Sequence, residues 1–326
     1  MVCIRMKVFK MKQNEITAYG LTRHEGFTLI ELLISVVLSV VIMGASLSFA
    51  IATFRSTEGN KLREEVYRSA RFIGMTLQRD IQTTGVGIAS EVRFGTLSTF
   101  NDTLVVLHVP WEPTNAFPYL IDESRASGND NPLDPGGTCG DTCIDLIKGP
   151  GNTFDLVPGD MARLQINAER RVILVTDVRD RGNAVELTFS DAPALLHYEA
   201  ALSGGVLLDR FSTTVQKLQP IIYYVENEIL YRADRLTPTG DLIGSPLAYG
   251  VKSWSANMIF LDLDEATEAN PGDSDPTNDF DDILGTRIIA TLGTNRPDIR
   301  VARGGEFTRT YEWKLYPRNL MYERNR

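Results

Sequence analysis

The sequence predicts an α+β chain: one long N-terminal α-helix, its first half membrane-spanning, packed on a head of mostly antiparallel β-sheet. Three observations predict it. Residues 32–54 hold no charge, and at about 1.5 Å rise per residue they make about 35 Å of helix, enough to cross a hydrocarbon core of about 30 Å. After Arg55 the text turns amphipathic with a helical period, and no proline occurs before Pro110. From residue 86 onward the period becomes two, between turns rich in Gly, Pro, Asn and Asp, which is the pattern of short strands. Helix first and strands after is the α+β order.

Residues 1–26 read as a leader. Arg5, Lys7, Lys10, Lys12 and Arg23 precede Gly26, and the apolar run begins directly after it. This basic excess holds the N-terminus in the cytoplasm and puts everything beyond residue 54 on the other side of the membrane. Without the leader the chain has 28 Lys+Arg against 40 Asp+Glu, a net charge of −12. No basic stripe survives, so the electrostatic footprint of nucleic-acid binding is missing.

Gly26, Phe27, Thr28, Leu29, Ile30, Glu31 and Leu32, behind a short basic leader and opening a hydrophobic helix, resemble position by position the signal of type IV prepilins and secretion pseudopilins. In an ordinary secretory signal the cleavage site follows the apolar stretch, whereas here the boundary precedes it. The resemblance implies cleavage after Gly26 by a prepilin peptidase and methylation of the new Phe27 amine. Thr28 and Glu31 are then assembly residues, with Glu31 meeting the Phe27 amine of a neighbouring subunit. An acid inside hydrocarbon is costly unless paired, which makes it a functional candidate. The plainer alternatives are a signal anchor that keeps its leader, and a Glu31 that reaches up to water from one turn inside the helix.

The helix is predicted over 27–84, with 27–54 in the membrane or filament core and 55–84 amphipathic. Leu62, Val66, Ala70, Ile73, Leu77 and Ile81 make a one-sided stripe. A head packed on that stripe is the leading reading and a coiled coil the other. Gly85 and Gly87 supply the stop.

Residues 85–326 form the predicted head. Strands are expected at Thr103–Val109, Met161–Ile166, Arg171–Val178, Ala184–Ser190, Pro220–Val225, Ile229–Ala233, Val251–Asp262, Arg287–Leu292 and Thr310–Tyr316. The clearest hairpin joins IIYYV to ILYRA through Glu226, Asn227 and Glu228. Residues 111–160 are loop-rich and read as an excursion. Residues 191–218 give no clear period.

Cys139 and Cys143 stand in PGGTCGDTC, and Cys3 would be lost with the leader. In an exported head, two nearby cysteines predict a disulfide. A metal pair is the alternative, although no histidine or further cysteine is close in sequence. The stretch Leu261–Asp282 crowds acids together, among them Asp262, Asp264, Glu265, Asp273, Asp275, Asp279, Asp281 and Asp282. It reads either as a solvated acidic loop or as a Ca²⁺ site. The candidate ligands are Asp273 and Asp275 first, then Asp279 and Asp281. No other cofactor is expected. His24, His108 and His197 fall in no triad or metal spacing, so no enzyme is expected.

A second resemblance lies in the head. Asp80–Gly85, IIYYVENEILYRAD with Pro246–Val251, Arg287–Leu292 and Trp313–Leu320 resemble pieces of PilW-type minor pilins and of the J-type pseudopilin of type II secretion. It implies a minor pilin that primes or tips a pilus, first in the inner membrane and then at the cell surface. Its partners would be other minor pilins, the major pilin and the inner-membrane assembly platform. A J-type pseudopilin is the alternative. A tip adhesin using residues 111–160 or the acidic loop is the alternative of another class.

Overall fold

The computed structural model describes residues 28–110, 118–122, 142–149, 151, 153–167, 169–191, 212–271, 275–297 and 305–320. The chain divides between Ser56 and Thr57 into two units, which are taken in turn. Helix α1 spans Leu29–Ile81 and contributes to both.

In the first unit every large apolar side chain from Leu29 to Phe54 is exposed. The segment is long and apolar enough to cross a membrane by length and composition. Three of its hydroxyls are turned inward on the backbone. Ser35 donates to the Leu32 carbonyl at 2.8 Å, Ser39 to Ser35 at 2.7 Å and Thr53 to Phe49 at 2.9 Å. No hydroxyl among these asks for water, as a segment in hydrocarbon requires.

Among its described residues the second unit holds fourteen strands. Strands β1 (Leu97–Phe100), β2 (Thr103–His108), β3 (Tyr119–Leu120), β4 (Cys143–Ile147), β5 (Met161–Ile166), β6 (Glu169–Asp180), β7 (Ala184–Asp191), β8 (Thr213–Glu226), β9 (Ile229–Leu236) and β10 (Leu242–Tyr249) make one antiparallel sheet. Strands β11 (Val251–Phe260), β12 (Glu265–Ala266), β13 (Ile283–Pro297) and β14 (Glu306–Leu315) make a second, in the order β12-β11-β13-β14.

Strand β8 is the seam of the larger sheet. Its first half, Thr213–Leu218, pairs β5, and from Gln219 to Tyr223 it pairs β2. Pro220 sits where the neighbours change, which is how a proline is accommodated in a strand interior. The expected strand start at Pro220 is therefore corrected: the strand begins seven residues earlier, at Thr213. The Glu226–Glu228 turn matches expectation, with Asn227 and Glu228 both at positive φ, 51° and 61°. Two successive left-handed residues are what a tight hairpin matching the strand twist needs.

The lower half of α1 is built into the core. Val66, Ala70, Ile73, Leu77 and Ile81 are buried against Leu104, Val106, Tyr223, Met258 and Ile288, which come from both sheets. The stripe packs on a head rather than on a second helix. Gly74 lets Trp313 of β14 lie directly on the helix: a Cβ there would come within 2.5 Å of the indole nitrogen.

The helix ends at Ile81 rather than at residue 84, because Thr83 and Thr84 already close tighter turns onto Asp80 and Ile81. The excursion at 111–160 contains strands β3 and β4 among its described residues, so it is partly built into the larger sheet.

Candidate functional site

Two places carry concentrated polar chemistry: the start of the helix and the end of it. At the start, the Thr28 carbonyl accepts the first helical hydrogen bond, from the Leu32 N–H at 3.2 Å, which makes Thr28 the N-cap. The Thr28 N–H and hydroxyl each donate to Glu31 Oε2 at 3.0 Å, and the Glu31 N–H lies 3.4 Å from Thr28 Oγ1.

This Thr-x-x-Glu arrangement is a capping box. It satisfies two of the backbone donors that a helix leaves open at its start, and it sets a carboxylate at the positive end of the helix dipole. Glu31 Oε1 has no partner among the described residues. The carboxylate is thus fixed by its own chain and keeps one oxygen for another donor. Gly26 and Phe27 lie outside the described residues. From the sequence Thr28 took an assembly role and its cap was missed, although the Thr-x-x-Glu spacing was the signal for it.

At the other end, Asp80 in the last helical turn is 3% exposed. Its Oδ2 accepts from the Tyr223 hydroxyl at 2.6 Å and from Arg232 Nε at 2.6 Å, and its Oδ1 accepts from Arg79 Nε at 3.0 Å. Burial pushes the Asp80 carboxyl up, but the hydrogen bonds from Arg232 and Tyr223 and the Arg232 charge outweigh it, so the net shift is downward. Burial raises the Tyr223 phenol well above its ordinary value, and the bond to Asp80 adds to this. Beside the cluster, the buried Nδ1 of His108 has no hydrogen-bond partner. Burial lowers the His108 pKa, so the ring is neutral at pH 7. The other histidines, His24 and His197, lie outside the described residues.

Sequence reading noted Asp80 in a motif fragment but gave it no role. The signal was available: an acid on the apolar stripe, four residues after Thr76 and beside Ile81, has to be buried and therefore paired.

The remaining expected site residues fall as follows. Cys143 is buried on β4 and disulfide-bonded, while Cys139 lies outside the described residues. Asp273 is also outside them. Asp275 turns on its own loop, accepting from the Thr277 N–H at 3.0 Å and the Thr277 hydroxyl at 2.7 Å. Asp279 and Asp281 are brought together with Asp282, their ligand oxygens lying within 4.8 Å of one another. Asp282 was not among the expected ligands. It is buried at the end of a short 3-10 turn, Phe280–Asp282. Carboxylates so placed offer hard oxygen ligands, as solvated acidic loops also do.

No curated protein matches the sequence. Residues 21–47 match the family model of the prokaryotic N-terminal methylation motif. The matched residues cover the end of the basic segment, the Gly26 boundary, the capping box and the first turns of the exposed apolar helix. With that motif opening a helix that leads into an antiparallel β head, the chain is pilin-like in architecture and carries the prepilin-type processing signal of type IV pilin-like proteins and pseudopilins.

Proposed function

We propose that this chain is a minor type IV pilin of PilW type, which primes or tips pilus assembly. A prepilin peptidase removes residues 1–26 after Gly26, and the new Phe27 amine is methylated. The apolar helix anchors the protein in the inner membrane, N-terminus inward, until it joins other minor pilins and the major pilin at the assembly platform.

The observation that carries the reading is the Glu31 carboxylate at the entrance of the apolar segment Leu29–Phe54, whose large side chains are all exposed. It is held by Thr28 through one oxygen and open at the other. A carboxylate in hydrocarbon is costly alone and stable when paired. A methylated amine on the adjoining chain supplies that pair with little loss of the capping box.

The test is fractionation of cells making the protein at native level, with peptide mass spectrometry on sheared surface filaments and on membranes. Head peptides in the filaments support the minor-pilin reading. Processed protein confined to the membrane contradicts a place in the filament and favours a pseudopilin of type II secretion or a basal priming subunit.

A further inference from the structure

The cluster around Asp80 opens into a surface basin of about 330 Å³, lined among others by Arg79, His108, Arg232, Asp234 and Arg235. Two of its guanidiniums are arranged by a buried group. Asp80 takes the Nε edge of Arg79 at 3.0 Å and the Nε edge of Arg232 at 2.6 Å. The terminal amino groups of Arg79 have no partner among the described residues, and its side chain is 70% exposed. Arg232 makes only a loose contact to Asp234 with its terminal nitrogen, 3.5 Å, and Arg235 reaches Asp234 at 3.9 Å. A planar guanidinium gripped by Nε presents a fixed pair of N–H donors, the fork that matches an oxyanion.

The charge balance selects the kind of anion. Three guanidiniums and two carboxylates leave the lining at +1, with His108 neutral, in a chain whose total charge is −9. A monoanion neutralises such a site, whereas a phosphate dianion would overfill it. The acidic surroundings disfavour any ligand carrying a larger negative charge. We propose that this basin is a carboxylate-binding site, in which Arg79 and Arg235 engage a ligand carboxylate and Asp80 holds Arg79 and Arg232 in position for it.

The experiment uses the full chain in detergent micelles with ¹⁵N-labelled arginine, followed by side-chain NMR. The probes are the capped peptides acetyl-Gly-Glu-Gly-amide and acetyl-Gly-Gln-Gly-amide, and sodium acetate. The glutamate peptide should shift Arg79 and Arg235 signals in a saturable way and the glutamine peptide should not. Arg79→Gln should weaken glutamate-peptide binding by about tenfold, the scale of a lost charge-assisted hydrogen bond. Arg68→Gln, on the same helix and 79% exposed, should leave it unchanged. The Arg79 side chain is mostly exposed, and the Tyr223 and Arg232 bonds to Asp80 remain when it is replaced, so the head should stay folded. Saturable binding of both acetate and the glutamate peptide supports the site with a free small carboxylate as its source. Binding of the peptide alone supports it with an acidic segment of a partner chain. Equal shifts from the glutamate and glutamine peptides, no saturable shift at all, or unchanged binding in Arg79→Gln would overturn the proposal.

Discussion

Arg232 Nε lies 2.6 Å from Asp80 Oδ2, so the last turn of the helix and strand β9 are joined by an ion pair whose acidic member is almost wholly buried. An acid at the end of a helix faces the negative pole of the helix dipole, which works against it by several tenths of a kcal/mol to about 1 kcal/mol. The Tyr223 and Arg79 bonds and the Arg232 charge offset both that and the desolvation.

Removing one member of such a pair strands the other. Asp80→Ala is expected to destabilise the head by about 3 kcal/mol. Urea denaturation of the full chain in detergent, followed by tryptophan fluorescence, measures it. Arg232→Ala should be milder than Asp80→Ala because Arg232 is more exposed, and the double variant should fall short of the sum of the two by more than about 1 kcal/mol. Strict additivity would mean that the pair contributes nothing.

The same cluster sets a pH window. The folded Asp80 pKa lies below the ordinary 3.8. Its contribution is therefore fully present above that value and is lost as the pH falls through the folded pKa. Tyr223 has a raised pKa against an ordinary 10.0. Its contribution is fully present below pH 10 and declines above it, as the unfolded phenol ionises and the folded one does not. Stability measured against pH should have a plateau with an acid and an alkaline shoulder. Tyr223→Phe should reduce the alkaline shoulder, to which Tyr224 and Tyr311, also raised by burial, contribute the rest, and leave the acid one.

Gly74 meets Trp313 with no room for a methyl group: the nearest ring atom would be 2.5 Å from an added Cβ. Gly74→Ala should cost about 1–3 kcal/mol through overpacking, despite the gain in helix propensity. A Trp313→Leu background, with a smaller side chain over the same spot, should absorb the methyl group. Stability of the single and double variants by denaturation decides the point.

Thr28 and Glu31 separate two roles that one carboxylate could play. Glu31→Gln can still accept hydrogen bonds from Thr28, so the helix start should survive. It cannot pair with an amine, so incorporation into filaments should fall by more than about tenfold, the scale of a lost buried ion pair. Glu31→Ala should lose both the cap and the assembly. Quantitative immunoblots of sheared filaments against membranes distinguish these outcomes.

The parts of the fold that repeat were legible in the sequence. The stripe from Val66 to Ile81 announced a helix with one buried face, and that face meets both sheets. The hairpin at Asn227 was legible because two polar turn residues stood between runs of Tyr, Ile and Val. Strand β10 was not among the expected strands because Gly244, Ser245 and Pro246 break its period. As a strand that among the described residues pairs only with β9, it tolerates the proline. Strand β4 was missed because it is five residues long and lies among prolines and glycines. The capping box was missed, although Thr28 and Glu31 stand at the spacing that signals it. The Asp80 cluster was not legible, since Tyr223 and Arg232 are 143 and 152 residues away and only the sheet brings them to the helix end.

The most direct measurement is the mass of the N-terminal peptide of the protein purified from membranes of cells that hold a prepilin peptidase. A peptide beginning at N-methylated Phe27, with Thr28 and Glu31 following, is the predicted result. A chain that still carries Met1–Gly26, or one cut on the far side of the apolar run, would contradict the assembly role of Phe27 and Glu31.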